Sequence, residues 1–135
     1  MSLIDWDSSL SVGVAEIDEQ HKKLVKMINE LHEAMLQRRS TEIMKNLLKG
    51  LADYTVYHFS TEEKYFDKFG YPDAENHKLQ HDAFVNKVSE FQQKYNAGQV
   101  SLGVEINQFL KDWLLGHIKG ADKAYSSFFN SKGLK

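Results

Sequence analysis

The chain has 135 residues, which is enough for one domain with a hydrophobic core. Hydrophobic residues make up 41% of it and charged residues 27%, an ordinary globular composition that argues against disorder. Its 17 lysines and arginines stand against 19 acids, so the formal net charge is -2. The basic excess of a nucleic-acid-binding protein is missing, and no nucleic-acid partner is expected.

The sequence contains no cysteine. This excludes disulfides, thiolate nucleophiles and iron–sulfur clusters, and it favours a reducing compartment, of which the cytoplasm is the expected one. No apolar segment approaches the roughly 20 residues that span a bilayer, so no membrane association is expected. Residues 1–7 have neither a basic start nor an apolar run, so no secretory signal is expected either.

The first predicted elements are an N-terminal arm over residues 1–17 and a helix that starts near Asp18. The arm contains Trp6, Val12 and Val14 without a helical period, and we expect these side chains to lie across the rest of the fold. Asp18 is a good N-cap residue. The first helix carries one apolar stripe at alternating steps of three and four. The stripe consists of His21, Leu24, Ile28, Leu31 and Met35.

A second helix is predicted to start after Ser40 and to end around Gly70, because Pro72 fits the first turn of a new helix better than the interior of an old one. Its inward face drifts slowly around the helix. The predicted face consists of Ile43, Leu47, Leu51, Tyr54, His58 and Glu62.

The third helix has the cleanest period and is followed by a stop signal at residues 96–98. A fourth helix is predicted to begin near Ser101. The two inward faces are His77, His81, Phe84, Val88, Phe91 and Tyr95, and then Ile106, Leu110, Trp113 and His117.

Four helices of about 20 residues with short connections predict an all-α fold, an antiparallel up-down-up-down four-helix bundle with an N-terminal arm. The whole chain, 1–135, is predicted to be one domain, with the bundle and a C-terminal segment over 18–130.

Histidine occurs on the apolar stripe of every predicted helix. A buried polar group without a partner costs a few kcal/mol. A single such histidine would most often be a core residue with one hydrogen bond. Five of them on four converging stripes instead indicate a shared partner, and a metal satisfies them together. The five are His21, His58, His77, His81 and His117.

The local spacings support this interpretation. His77 and His81 form an i,i+4 pair, which places both side chains on one helix face about one turn apart, and His58 with Glu62 repeats that geometry. Such pairs are common by chance, so each of them alone is weak.

Another acid, Asp122, lies five residues after His117, about 140° around an ideal helix. The two can converge only if the helix loosens, kinks or ends between them, and Gly116 and Gly120 flank that stretch. Five imidazoles and two carboxylates are too many ligands for a closed four-ligand zinc site. They suit a pair of borderline metal ions with one position open for a small ligand.

These motifs resemble the hemerythrin family, and within it the single-domain bacterial form. The resemblance runs from about Trp6 to Phe129, and every candidate ligand position carries the residue that the family uses. The matching segments are Ser11-Val12-Gly13-Val14, Ile17-Asp18-Glu19-Gln20-His21-Lys22, His58-Phe59-Ser60-Thr61-Glu62-Glu63, Tyr71-Pro72, His77, His81, Trp113-Leu114-Leu115-Gly116-His117-Ile118 and Asp122-Lys123-Ala124-Tyr125.

The resemblance implies two non-haem iron ions joined by an oxo or hydroxo group, with reversible binding of dioxygen at the iron that only two histidines hold. An apolar pocket that withholds outside protons favours oxygen binding over catalysis. The implied ligands are His77, His81 and His117 for one iron, His21 and His58 for the other, and Glu62 and Asp122 as bridges. The implied oxygen pocket consists of Phe59, Trp113, Leu114 and Ile118.

Two other functions stay open on the sequence. The domain could sense oxygen or redox state for a signalling partner, or it could be a di-iron redox enzyme acting on peroxide or nitrogen oxides. An oxygen carrier would instead serve an oxygen-consuming enzyme. His32 lies about 16 Å along the helix from His21 and is not expected in the site. Glu63 is expected to be solvated or to support the ligands from outside.

Overall fold

The computed structural model describes residues 3–98 and 103–135, and within these ranges it contains helices and no strand. The predicted all-α four-helix bundle is confirmed. The predicted start of the fourth helix at Ser101 lies outside the described residues. The α-helices of the described residues are α1 (Ala15–Leu36), α2 (Thr41–Phe69), α3 (Ala74–Asn96), α4 (Gly103–His117) and α5 (Lys123–Ser131). One π-helical turn, Ile118–Asp122, joins α4 and α5 into a single long rod.

The bundle is held together by one apolar interior. α1 packs against α2 and α4, and α2 packs against α3. Aromatic rings join α3 to α4, with the centroids of Phe84 and Trp113 4.2 Å apart. Each fully buried aliphatic or aromatic side chain stabilises the fold by about 1.5–3 kcal/mol. Within the described ranges, no helix combines the length and the apolar character needed to cross a membrane.

The ends of α2 agree with the predicted signals. The Ser40 hydroxyl accepts a hydrogen bond from the Ile43 amide at 3.2 Å, which caps one of the free N–H groups of the first turn. Gly70 ends the helix with a φ of 67°, in the left-handed region that glycine enters without strain. Both predicted boundaries of this helix are therefore confirmed.

The first helix begins at Ala15, three residues before the predicted start at Asp18, so the arm ends at Val14. Asp18 does not act as the N-cap because its carboxylate turns back to the arm. There it accepts hydrogen bonds from the Val12 amide at 2.8 Å and the Ser11 hydroxyl at 2.6 Å. In the first helical turn this carboxylate also lies at the positive end of the helix dipole.

The inward face of α2 differs from the predicted one at its start. Ile43 is 38% exposed, and the buried positions are Met44 and Leu48. The reason is the fixed register at the other end of the helix, where Thr55 and His58 face the interior. Counting back from them in steps of three and four reaches residues 51, 48 and 44, not 43.

The N-terminal arm lies across the bundle as predicted. Asn29 of α1 holds it by accepting from the Leu3 and Ile4 amides at 3.0 and 2.9 Å and donating to the Ile4 carbonyl at 2.8 Å. On the other side, the Ser126 hydroxyl of α5 donates to the Val12 carbonyl at 2.5 Å. The arm thereby connects α1 to α5. Its buried side chains are Ile4, Leu10, Val12 and Val14.

Candidate metal centre

Seven side chains converge at the centre of the bundle, and none of them is more than 6% exposed. They come from α1, α2, α3 and the continuous helix formed by α4, the π turn and α5. They form two groups in which the possible ligand atoms all lie within 4.8 Å of one another. The two carboxylates belong to both groups. One group is Glu62, His77, His81, His117 and Asp122, and the other is His21, His58, Glu62 and Asp122. The structure thus brings together all seven side chains that the sequence indicated.

Regular helix geometry accounts for two of the converging pairs. His58 and Glu62 are one turn apart on α2, and the Nε2 and Oε1 atoms lie 2.9 Å from each other. On α3 the rings of His77 and His81 have centroids 4.6 Å apart. An α-helix places such residues on one face without any distortion.

The third pair depends on the π-helical turn. His117 is the last residue of α4 and Asp122 ends the π turn, and the imidazole Nε2 lies 3.0 Å from the carboxylate Oδ1. A π-helix closes each turn with one extra residue, so positions five apart share a face. The helix therefore loosens where the spacing required it, and Asp122 also reaches His77 at 2.9 Å and His21 at 3.1 Å.

The potential ligand atoms at the centre approach one another to 2.9–3.1 Å, but these contacts are not hydrogen bonds. Several ring nitrogens and all four carboxylate oxygens are buried without a hydrogen-bond partner in the part of the chain that the structure describes. Burying so many unpaired polar atoms is costly unless a common partner binds them. Imidazole and carboxylate together suit borderline divalent metals. The atoms are Nε2 of His21, His77, His81 and His117, Oε1 and Oε2 of Glu62, and Oδ1 and Oδ2 of Asp122.

The electrostatics prepare these groups for a cation. Burial acts to raise the pKa of Asp122, but the surrounding histidines, His117 first, hold it well below its usual value. Burial and the neighbouring rings of His77 and His117 lower the pKa of His81 to about 2. Burial also acts to lower the pKa of His21, yet the adjacent Asp122 carboxylate raises it. Ionised carboxylates and a neutral imidazole are the forms that bind metals.

Three polar side chains hold the histidines from outside. Each offers an oxygen to the Nδ1 atom of a histidine, which fixes the proton on Nδ1 and leaves Nε2 directed to the centre. Glu63 thus supports a ligand, as expected, while the two glutamines were not predicted. The sequence hints at these glutamines only in that each directly precedes a ligand histidine, although not the histidine with which it forms the hydrogen bond. The pairs are Gln20 with His58 (2.6 Å), Glu63 with His81 (3.0 Å) and Gln80 with His117 (3.0 Å).

A narrow interior cavity lies against the centre, with an empty volume of about 320 Å³. The centre of a water-sized molecule can occupy only about 10 Å³ of it, which is room for roughly one small molecule. The predicted pocket residues Phe59, Trp113 and Leu114 line it, whereas Ile118 is buried in the π turn and does not. The other residues that line the cavity were not predicted as pocket residues, because helical period places them in the core or does not single them out. They include Leu24, Ile28, Leu51, Thr55 and Phe84.

Two other residues with titratable side chains, Tyr125 and His32, do not belong to the ligand groups. Tyr125 is fully buried with its ring centroid 5.6 Å from that of His77, and burial, reinforced by the Asp122 and Glu62 carboxylates, raises its pKa well above the usual value. It is therefore a neutral phenol beside the centre. His32 belongs to neither ligand group within the described ranges, as expected.

The fold and its buried site define a four-helix-bundle metalloprotein whose ligands are histidines and carboxylates. Residues 12–128 match the family model of the hemerythrin HHE cation binding domain. The chain therefore belongs to the hemerythrin family. Family membership and the buried cluster together support iron binding.

Individual relatives agree with this assignment. The chain is 36% identical over 126 residues to a bacteriohemerythrin of Methylococcus capsulatus, which covers 93% of this chain and 95% of that protein. It is 40% identical over 124 residues to a hemerythrin-like protein of Naegleria gruberi, covering 92% of both. A crystal structure of wild-type hemerythrin superimposes with a TM-score of 0.87 at 33% identity, over 93% of this chain and 97% of the other.

Proposed function

We propose that this chain binds dioxygen reversibly at a non-haem di-iron centre and serves in oxygen transport, storage or delivery. When bound, two ferrous ions supply an open position for dioxygen and the electrons that its reversible binding requires. His77, His81 and His117 would hold one ion, His21 and His58 would hold the other, and Glu62 and Asp122 would be shared by both.

The observation that carries this proposal is the position of the apolar cavity. In the ligand group with only two histidines, both of them, His21 and His58, lie in the cavity wall. In the group with three histidines, only His117 lines the cavity, and His77 and His81 lie outside it. An ion held by His21 and His58 would have the fewer protein ligands and would face the free space. A site for a small uncharged molecule is therefore available where the coordination is incomplete.

The residues of the cavity favour binding over turnover. Leu24, Phe59 and Leu114 are buried and make their part of the wall apolar. Thr55 is a neutral hydroxyl in the wall, and its proton is already donated to the Leu51 carbonyl at 2.7 Å. A dry wall with this hydroxyl engaged gives little access to the protons that would convert bound oxygen to free peroxide. This supports an oxygen-binding role over an enzymatic one.

The test is anaerobic reconstitution with ferrous iron, followed by an oxygen titration under visible absorption. We expect about two irons per chain and an absorption band that appears with oxygen and disappears when oxygen is removed. Immediate, permanent oxidation of both irons, or sustained turnover with an added reductant, would contradict reversible binding and would favour a redox enzyme.

One observation favours a second candidate function, oxygen sensing. α5 starts directly after Asp122 and holds the arm through the Ser126 and Asn130 side chains, which donate to the Val12 and Gly13 carbonyls at 2.5 and 3.0 Å. A shift of Asp122 would thus reach the arm. Hydrogen exchange of residues 3–14 in the oxygen-free and oxygen-bound forms tests this, and identical exchange in both would count against sensing by this route.

A further inference from the structure

The three outer partners of the histidines differ in charge. Gln20 and Gln80 offer neutral amide oxygens, whereas Glu63 offers a carboxylate oxygen to His81 Nδ1 at 3.0 Å. His81 is only 1% exposed, but the Glu63 side chain is 32% exposed. The anionic partner therefore stands between a buried ligand and the solvent.

A carboxylate acceptor acts on the imidazole more strongly than an amide does. Hydrogen bonds to charged acceptors are roughly twice as strong as neutral ones. The carboxylate draws the Nδ1 proton away from the ring, so the ring becomes a more basic, more electron-donating ligand through Nε2. His58 and His117, whose acceptors are amides, gain less of this effect.

The ring of His81 is held in place by contacts other than Glu63. Phe59 stacks on it with centroids 3.7 Å apart and an interplanar angle of 5°. The residue itself lies within α3, one turn after His77, so the helix backbone fixes the point from which the ring extends. Because the ring is held without Glu63, the charge of the carboxylate can act on the ligand without deciding where the ligand lies.

The location of Glu63 also keeps its charge away from the oxygen cavity. Glu63, His81 and Asp82 line an open cleft between α2 and α3 on the protein surface. Phe59 lines both this cleft and the interior cavity, whereas Glu63 lines the cleft alone. Solvent can therefore reach the carboxylate while the cavity stays dry.

We propose that Glu63 acts through His81 to tune the metal ion that His77, His81 and His117 would hold, stabilising its ferric form relative to its ferrous form. This inference rests on the proposed di-iron centre. It makes the two ions electronically unequal, because the ion held by His21 and His58 lacks an anionic outer partner among the described residues. The ion that gives up its electron more readily is then the one that His77, His81 and His117 would hold.

The test measures the reduction potentials of the iron-loaded protein by anaerobic redox titration, with Mössbauer spectra to distinguish the two irons. In Glu63→Gln the hydrogen bond is kept and the charge removed. We expect the ferrous-to-ferric ratio of one iron at a fixed potential to rise about tenfold, which equals a rise of about 59 mV for a one-electron couple. The other iron should change much less.

Asp82→Asn is the matched control, since it removes the same charge from the same cleft without a hydrogen bond to a ligand histidine in the described part of the chain. Gln80→Glu is the reciprocal variant. It presents a carboxylate to His117, whose ring is held by stacking on Trp113 at 4.2 Å. We expect Asp82→Asn to shift the potentials little and Gln80→Glu to shift the same iron toward the ferric form.

Equal shifts in Glu63→Gln and Asp82→Asn, or no shift in Glu63→Gln, would overturn the inference. So would loss of iron from a folded Glu63→Gln protein, because Glu63 would then be needed to hold the metal and not to tune it. The readout does not involve oxygen. If the wild-type chain loads two irons but fails to bind oxygen, the proposed function fails while the potentials still decide the role of Glu63.

Discussion

Two single histidines, His77 and His32, differ in whether they belong to the buried ligand cluster. His77 lies in the buried centre, whereas His32 occupies the same bundle outside both ligand groups of the described chain. We expect His77→Ala to reduce the iron content from about two ions to one or none and to lower the melting temperature of the iron-loaded protein, because metal binding is coupled to folding. Metal analysis and thermal unfolding measure both effects.

His32→Ala is the control for that variant, and it should keep its full iron content. If His32→Ala emptied the site, the proposed ligand assignment would be wrong. A smaller change in its melting temperature is expected, because His32 is half-buried and its loss removes some packing.

The lowered pKa of His81 predicts how the stability of the metal-free protein changes with acid. Its pKa is lowered from 6.5 to about 2 in the folded chain. Below about pH 6.5 the unfolded chain therefore binds a proton that the folded chain does not, and stability falls as pH falls. The expected slope is about 1.4 kcal/mol per pH unit for this one group. Urea unfolding of the metal-free protein between about pH 7 and pH 5 measures it.

His21 contributes with the opposite sign, because Asp122 raises its pKa and protonation then favours the folded chain. The contribution of His81 is isolated by comparison with His81→Gln, which cannot titrate. We expect the loss of stability with acid to be smaller in His81→Gln than in the wild-type chain. An unchanged dependence on pH would show that the folded chain protonates His81 readily.

At the scale of whole elements, helical period in the sequence predicted the inward faces of two helices correctly. The stripes through His21 and His77 predicted those faces in α1 and α3, and the start of α2 after Ser40 was also predicted correctly. The predicted start of α1 was wrong because the side chain of Asp18 bonds to the arm and not to the helix end, which a local pattern does not reveal.

The outer partners were unpredictable for another reason. Gln20 and Gln80 reach histidines 38 and 37 residues away along the chain. Such contacts depend on the distance and rotation between packed helices, and neither is encoded in the period of one helix. The five-residue spacing of His117 and Asp122 was informative because it conflicts with an α-helix. It predicted that the helix loosens, kinks or ends there, and the structure contains the first of these, a π-helical turn.

The π-helical turn provides a prediction of its own. It contains one residue more than an α-helical turn, so deleting Gly120 should convert it to α-helix and leave His117 and Asp122 four apart, still on one face. A Cβ at Gly120 would meet nothing within 4 Å, so Gly120 borders open space. We expect the deletion variant to bind iron within about tenfold of the wild-type affinity and to keep its helical content.

Deletion of Leu79 is the matched control. Leu79 is 66% exposed, but it lies between His77 and His81, and its loss rotates His81 by about 100° relative to His77. We expect that variant to lose iron binding. Equal loss in the Gly120 deletion would show that the width of the π turn, and not only its register, is required by the centre.

For the molecule as a whole, the apolar core and the metal centre make separable contributions. The core runs the length of the bundle and includes residues distant from the ligands, such as Leu31, Leu48 and Phe91. We expect it to hold the helices together without metal. The centre, in contrast, buries unpaired donors that oppose folding until a cation binds them.

Metal removal should therefore leave the fold but reduce its stability. A ligand that binds only the folded chain stabilises it by about 2.7 kcal/mol at a hundred times its dissociation constant. For a domain of this size, that corresponds to a fall in melting temperature of roughly 10 °C or more when the metal is chelated. Far-UV circular dichroism at low temperature should show the same helical content before and after chelation.

Two further observations complete this test. Restoring ferrous iron without oxygen should restore the melting temperature, and chelator should have little effect on His77→Ala, which has less metal to lose. A chelated chain that is unfolded at low temperature would show that the core cannot hold the bundle alone. An unchanged melting temperature would show that the seven buried side chains satisfy one another without a cation. The carboxylate oxygens of Glu62 and Asp122, which have no hydrogen-bond partner in the structure, would then need partners within the protein.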